Sequence, residues 1–281
     1  MPHVHQVATE SGWFSLSLAL AIVFLAIVYL HGWLRLRSTS LMNVIPAWRA
    51  GSFLLGLFLM WVALGSRIAV LDQAMLTGHM IQHLLLMTIA PPLIWLGEPV
   101  RLLLNGLPQQ VVRLVIAPLF YWRPLQRLGT ALAQPAFCWL ASVAVLVVWH
   151  VPGAFTLGMT SERWHVVEQA SFLGTGLLFW WPVVLPWPSV ASPGWSMILY
   201  LFLATLPCDV LSGFLVFSER VAYPVYLSAS PQPVLSVMAD QECAGAVMWT
   251  CVTIVYLVAG AILATRLLSA PERDFHSLEV V

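Results

Sequence analysis

The sequence predicts an all-α integral membrane protein, a bundle of about seven transmembrane helices. Three features predict it. Of 281 residues, 60% are hydrophobic and only 9% are charged, against roughly 25% charged in soluble domains. The hydrophobic residues gather in blocks of about 17–22, each long enough to cross the hydrocarbon core at about 1.5 Å per residue. The basic residues, all of them Arg, are distributed unevenly over the segments between those blocks.

The spans fall at about 13–31, 49–69, 76–96, 135–151, 165–186, 195–217 and 244–265. Aromatic residues suited to the membrane–water interface flank them: Trp13, Trp33, Trp48, Trp95, Trp164 and Trp195. The first basic residue, Arg35, follows the first block, and the N-terminal Met-Pro-His-Val-His-Gln lacks the positive region of a signal peptide. The first block is therefore expected to be a retained helix. Between the third and fourth spans, residues 98–134 are expected to form a cytoplasmic interfacial loop. Arg113, Pro118, Arg123, Pro124 and Arg127 interrupt its apolar stretch too often for another crossing.

Counting Arg by alternating side places Arg35, Arg37, Arg49, Arg101, Arg113, Arg123, Arg127, Arg266 and Arg273 on one face. Arg67, Arg163 and Arg220 lie on the other. The Arg-rich side is expected to be cytoplasmic, which gives an N-out, C-in topology. Residues 1–281 read as a single transmembrane domain. A formal net charge of zero argues against nucleic acid as a partner. The four cysteines (Cys138, Cys208, Cys243, Cys251) form no C-x-x-C pair and no disulfide framework.

The ionisable residues concentrate at one level. His79 and His83 are four apart, so both imidazoles share one face of the third helix. Met75 and Met87 extend that stripe by a turn each way, and Met80 lies beside it. The fourth helix ends at His150, and the fifth opens with His165 and Glu168, three apart and on one face. Cys208-Asp209 lies in the outer half of the sixth, and Asp240-Gln241-Glu242-Cys243 enters the seventh. Each such group costs several kcal/mol in hydrocarbon unless it is paired or ligated, so a functional site is the default expectation.

Taken singly, each element has an ordinary structural explanation: a hydrogen-bonded interfacial His, a packing Met, a buried thiol, an Arg67–Asp72 ion pair. Four histidines on three helices at one depth, with Met beside them and carboxylates behind, point jointly to a metal or haem site. Imidazole with thioether suits Cu(I). The expected ligands are His79, His83, His150 and His165, with Met80 and Met87 auxiliary and Cys208 and Cys243 as possible thiols. Glu168, Asp240, Gln241, Asp209 and Glu242 would stand behind them, orienting imidazoles. Two alternatives from other classes remain open: an intramembrane zinc-dependent hydrolase and a haem b electron-transfer subunit. His3 and His5 are discounted, because a terminal Cu(II) site needs the amide that Pro2 lacks.

The motifs carry a resemblance. Gly78-His-Met-Ile-Gln-His-Leu-Leu-Leu-Met, Ala90-Pro-Pro-Leu and Gly97-Glu-Pro resemble the multi-spanning CtaG family of cytochrome c oxidase assembly factors. So do Trp149-His-Val-Pro, His165-Val-Val-Glu, Phe179-Trp-Trp-Pro and Asp240-Gln-Glu-Cys-Ala-Gly-Ala-Val-Met-Trp, in order, over about residues 72–250. Glu242-Cys243 departs from the uncharged, less reactive pair expected there. The resemblance implies a seven-helix inner-membrane protein that matures a haem–copper oxidase through its copper supply, and a non-catalytic role. Cytochrome c oxidase subunits and periplasmic copper chaperones would be its partners.

Overall fold

The computed structural model describes residues 3–38, 46–66, 68–184, 194–228 and 235–269, with side chains from Leu16 onward except at Ala69 and Val70. Arg67, Arg273 and the side chains of His3, His5 and Trp13 lie outside the described residues, and with Arg67 goes the expected ion pair to Asp72. Among the described residues the protein is built of helices: α1 (His3–Ser38), α2 (Ala47–Gly65), α3 (Leu76–Leu96), α4 (Pro99–Gly106), α5 (Gln109–Tyr121), α6 (Arg123–Leu132), α7 (Pro135–His150), α8 (Pro152–Thr160), α9 (Glu162–Val184), α10 (Ser196–Phe217) and α11 (Val237–Leu268).

Five of these are long and apolar enough to cross a membrane: α1 from Leu16, α2, α3, α10 and α11. Counting the bent pairs α4–α5 (115°) and α6–α7 (69°) as one span each raises this to seven. The expected fourth and fifth spans are α7 and α9, and neither passes on length and apolarity alone. α7 has 16 residues, short of the roughly 20 a perpendicular crossing needs. α9 has 23 but carries Glu162, Arg163 and Glu168 in its first two turns. Breaks in the chain have local causes. Val151 is extended because it precedes Pro152, which ends α7 at His150.

The outer surface is apolar, as lipid requires. Phe24, Phe58, Val147, Phe202, Val210, Phe214 and Leu257 are all exposed, a patch no water-soluble monomer would tolerate. The fold is an all-α membrane bundle.

α3 is its hub. Pro91 lacks the N–H that would bond the Met87 carbonyl four residues back, and its ring crowds that carbonyl. The helix widens into a π turn at Leu85–Ile89, and Trp180 Nε1 of α9 donates to the freed Met87 oxygen at 3.2 Å. Gly176 lets α9 approach there. A Cβ on it would stand 2.8 Å from both Cα and O of Met87. Gly174, by contrast, faces open space.

Gly176→Ala is therefore expected to destabilise the purified protein by about 1–3 kcal/mol through overpacking. Gly174→Ala should be neutral or slightly stabilising. Thermal unfolding of both variants in detergent checks the contrast; equal midpoints would refute the close approach.

Candidate metal centre

The level of α3 is set by its neighbour. Asp240 accepts hydrogen bonds from the backbone N–H groups of Leu76 (2.6 Å) and Thr77 (3.2 Å). These are the orphan donors of a helix start, and a carboxylate there also meets the positive end of the helix dipole. Thr77 Oγ1 donates back to the Asp240 carbonyl at 3.0 Å. Asp240 can do this because α11 begins at Ser236, whose Oγ accepts from Ala239 N at 3.2 Å. The helix starts earlier than the apolar run suggested, and Asp240 sits in its first turn rather than in a loop.

One turn further on, His79 and His83 stand edge to face with ring centroids 4.1 Å apart. Glu168 reaches them from α9, with Oε1 3.5 Å from His79 Nε2 and 3.6 Å from His83 Nε2. All three are buried, Glu168 to 1% exposure. Neither ring nitrogen of either histidine and neither Glu168 oxygen has a hydrogen-bond partner among the described residues. Each such atom costs about 1–3 kcal/mol, more if charged. Nitrogen and oxygen donors about 2.0–2.2 Å from one tetrahedral ion stand about 3.4 Å apart. The cluster thus has the donors, burial and spacing of a metal site. Phe172 stacks on His83 at 3.9 Å and Phe155 meets His79 at 4.9 Å, walling it with aromatics. Gly158 of α8 lies over the carboxylate, where a Cβ would stand 2.6 Å from Glu168 Oε2.

A second group shares His79. His165 Nε2 lies 3.0 Å from Asp72 Oδ2, and the donor atoms of Asp72, His79 and His165 fall within 4.8 Å of one another, as do those of His79, His83 and Glu168. Sequence reasoning missed Asp72 as a site residue. It assigned the carboxylate to Arg67, which lies outside the described residues; Asp72 is fully buried, and its backbone carbonyl accepts from Tyr226 OH at 3.0 Å. The signal was its position just before the histidine turn.

His150 sits to one side. Its Nδ1 lies 2.7 Å from the Leu146 carbonyl and its Nε2 3.4 Å from Met80 Sδ. Met80, Met87, His83, His150 and Cys208 line a cavity of about 40 Å³.

Several expected supporting residues stand elsewhere. Glu168 is not behind the imidazoles but level with their donor atoms. Asp240 caps α3 instead of orienting a ring. Gln241 is spent on backbone, donating to Leu215 O and Arg220 O and accepting from Ala222 N. Asp209 lines a separate groove between α10 and α11, with Thr205, Trp249 and Tyr256. Glu242 and Cys243 are exposed, because the helical period turns them outward as it turns Asp240 and Gln241 in.

Asp240→Ala is expected to cost about 0.5–2 kcal/mol of stability through the lost cap, with metal content per folded molecule unchanged. Loss of metal from an Asp240→Asn protein of normal thermal stability would contradict the capping role.

The family model described as cytochrome c oxidase caa3 assembly factor (Caa3_CtaG) matches residues 27–270. Similar relatives are uncharacterized proteins of Mycobacterium bovis and Mycobacterium tuberculosis, each 26% identical over 271 residues. An uncharacterized protein of Mycobacterium leprae is 26% identical over 270 residues. Each match covers 94% of this chain but 40% of the relative, so the chain spans less than half the length of the curated relatives it matches. No solved structure matches it. The matched region takes in every helix that contributes to the His79–His83–Glu168 cluster, and the chain belongs to the cytochrome c oxidase caa3 assembly factor family.

Proposed function

We propose that this protein is an inner-membrane assembly factor for a haem–copper cytochrome c oxidase, and that it binds copper for delivery at His79, His83 and Glu168. The observation that carries the proposal is the set of six buried, unpartnered donor atoms on those three residues, in a member of an oxidase assembly family. His79 and His83 are brought together by the helical repeat of α3, and Glu168 supplies a negative charge that offsets the cation in a dry site. His165 and Asp72 adjoin the centre and can take up or release the proton exchanged as a metal ion arrives. The Arg distribution puts this end of the bundle at the periplasmic face, where copper chaperones and the oxidase subunits would meet it. Copper would be cargo, and the protein would not be an enzyme.

One observation favours a second reading. In a zinc hydrolase His79, His83 and a third histidine would hold the metal, and Glu168, beside the imidazoles, would act as general base. The two readings part on Glu168. As a copper ligand it matters for occupancy.

Cells lacking the protein should show reduced oxidase activity and reduced copper in the oxidase, with partial rescue by added copper. His79→Ala, His83→Ala and Glu168→Gln should each remove the copper bound at this centre and lower oxidase activity in parallel, with the protein still folded in the membrane. Full copper occupancy in a His79→Ala/His83→Ala protein would overturn the site. A Glu168→Gln protein that keeps its metal but supports no function would favour the hydrolase.

A further inference from the structure

The copper proposal leaves one set of soft donors unused. Met80, Met87, His150 and Cys208 line a cavity together with His83 and Met248, and Glu168 is not among its lining residues. We infer that this cavity is a second metal position, selective for Cu(I), which shares His83 with the His79–His83–Glu168 centre. The inference deepens the copper reading and rests on it for the identity of the cargo.

The contact between His150 and Met80 is the first reason. The Leu146 carbonyl can only accept, so His150 Nδ1, 2.7 Å away, carries the ring proton. In the neutral ring Nε2 is then a bare lone pair, and it points at a thioether sulfur 3.4 Å away. Sulfur is also an acceptor. Two lone pairs facing each other in a buried site repel, unless a cation lies between them. A nitrogen and a sulfur donor held at about 2.0 and 2.3 Å by one tetrahedral ion stand about 3.5 Å apart, close to the observed separation.

The second reason is the charge of the walls. Among the described residues no Asp, Glu or Arg lines this cavity. A cation inside is not neutralised, and its solvation cost rises with the square of its charge, so a divalent ion costs about four times a monovalent one. The His79–His83–Glu168 centre has the opposite character, with a carboxylate and no sulfur. Thioether and imidazole donors in a neutral pocket favour Cu(I), and imidazole with carboxylate accommodates divalent ions. The cavity of about 40 Å³ holds one ion and little else.

The arrangement is continuous. The ring centroids of His79 and His83 are 4.1 Å apart, and those of His83 and His150 are 6.2 Å apart. A Cu(I) ion can pass from one position to the other by exchanging ligands at His83, with no change of oxidation state.

The test uses the full chain in nanodiscs under anaerobic conditions. Cu(I) is titrated against a chromophoric chelator, and Co(II) is followed separately by its visible absorption. The unaltered protein should bind both ions without mutual displacement, and its bound Cu(I) should show sulfur scatterers at about 2.3 Å in copper X-ray absorption. Met80→Leu/Met87→Leu, which conserves volume, should weaken Cu(I) at least 10-fold and leave Co(II) affinity unchanged. Glu168→Gln should weaken Co(II) and remove the copper held at the His79–His83–Glu168 centre, leaving the sulfur-bound Cu(I) in place. Stoichiometric displacement of one ion by the other, copper bound by nitrogen and oxygen alone, or Cu(I) affinity unchanged in the Met variant would each overturn the inference. If Co(II) does not bind while Cu(I) still depends on the Met residues, the soft position stands and the His79–His83–Glu168 proposal falls.

Discussion

The structure turns on the cost of holding Glu168 between two imidazoles in an apolar bundle. Water is shut out by Phe155, Phe172 and Tyr223, with Phe155 and Tyr223 stacked at 3.8 Å, and nothing described donates a hydrogen bond to the carboxylate. A sequence evolving for stability alone would replace such a group by an apolar one, since buried polar clusters are often no better than well-packed hydrocarbon. The surrounding fold instead accommodates it. Gly158 leaves room for the carboxylate, and Gly176 with the π turn brings α9 against α3 at Met87, about two turns along α9 from Glu168.

Other parts of the molecule serve the same constraint from a distance. Asp240 and Thr77 join α11 to the start of α3 and so fix how far along its axis α3 can slide. At the opposite end, about 33 Å away at 1.5 Å per residue, Glu98 takes a left-handed backbone (φ 51°) and pairs with Arg49. Tyr29 OH donates to the Gly97 carbonyl at 2.8 Å. The helix that carries both histidines is thus anchored at each end by a charged side chain. Polar residues in the motifs divide between these two tasks, ligation and anchoring.

That division explains what was legible in the sequence. Apolar blocks and Arg spacing reveal the helices because the bilayer demands them, and His79 and His83 are visible as a pair because α-helical periodicity alone aligns them. Glu168 could be placed on the right helix and face, but its depth relative to the imidazoles is a property of α3–α9 packing, which Gly176 and Pro91 control. Asp240 and Glu242 look equivalent in the sequence; the start of α11 at Ser236 decides which of them turns inward. Asp72 was paired in the sequence with Arg67, which lies outside the described residues; its described neighbour, His165, lies on another helix, and no sequence spacing reveals that contact. His150 could be placed at the right level, but its pairing with Met80 rather than with His79 follows from the break at Val151-Pro152.

The most direct test of the central claim is an anomalous difference map, measured at the copper absorption edge, from crystals of protein prepared without chelators. The account predicts a peak within bonding distance of His79 Nε2, His83 Nε2 and Glu168 Oε1. Ordered water hydrogen-bonded to those same atoms, with no anomalous signal after copper has been supplied, would contradict it.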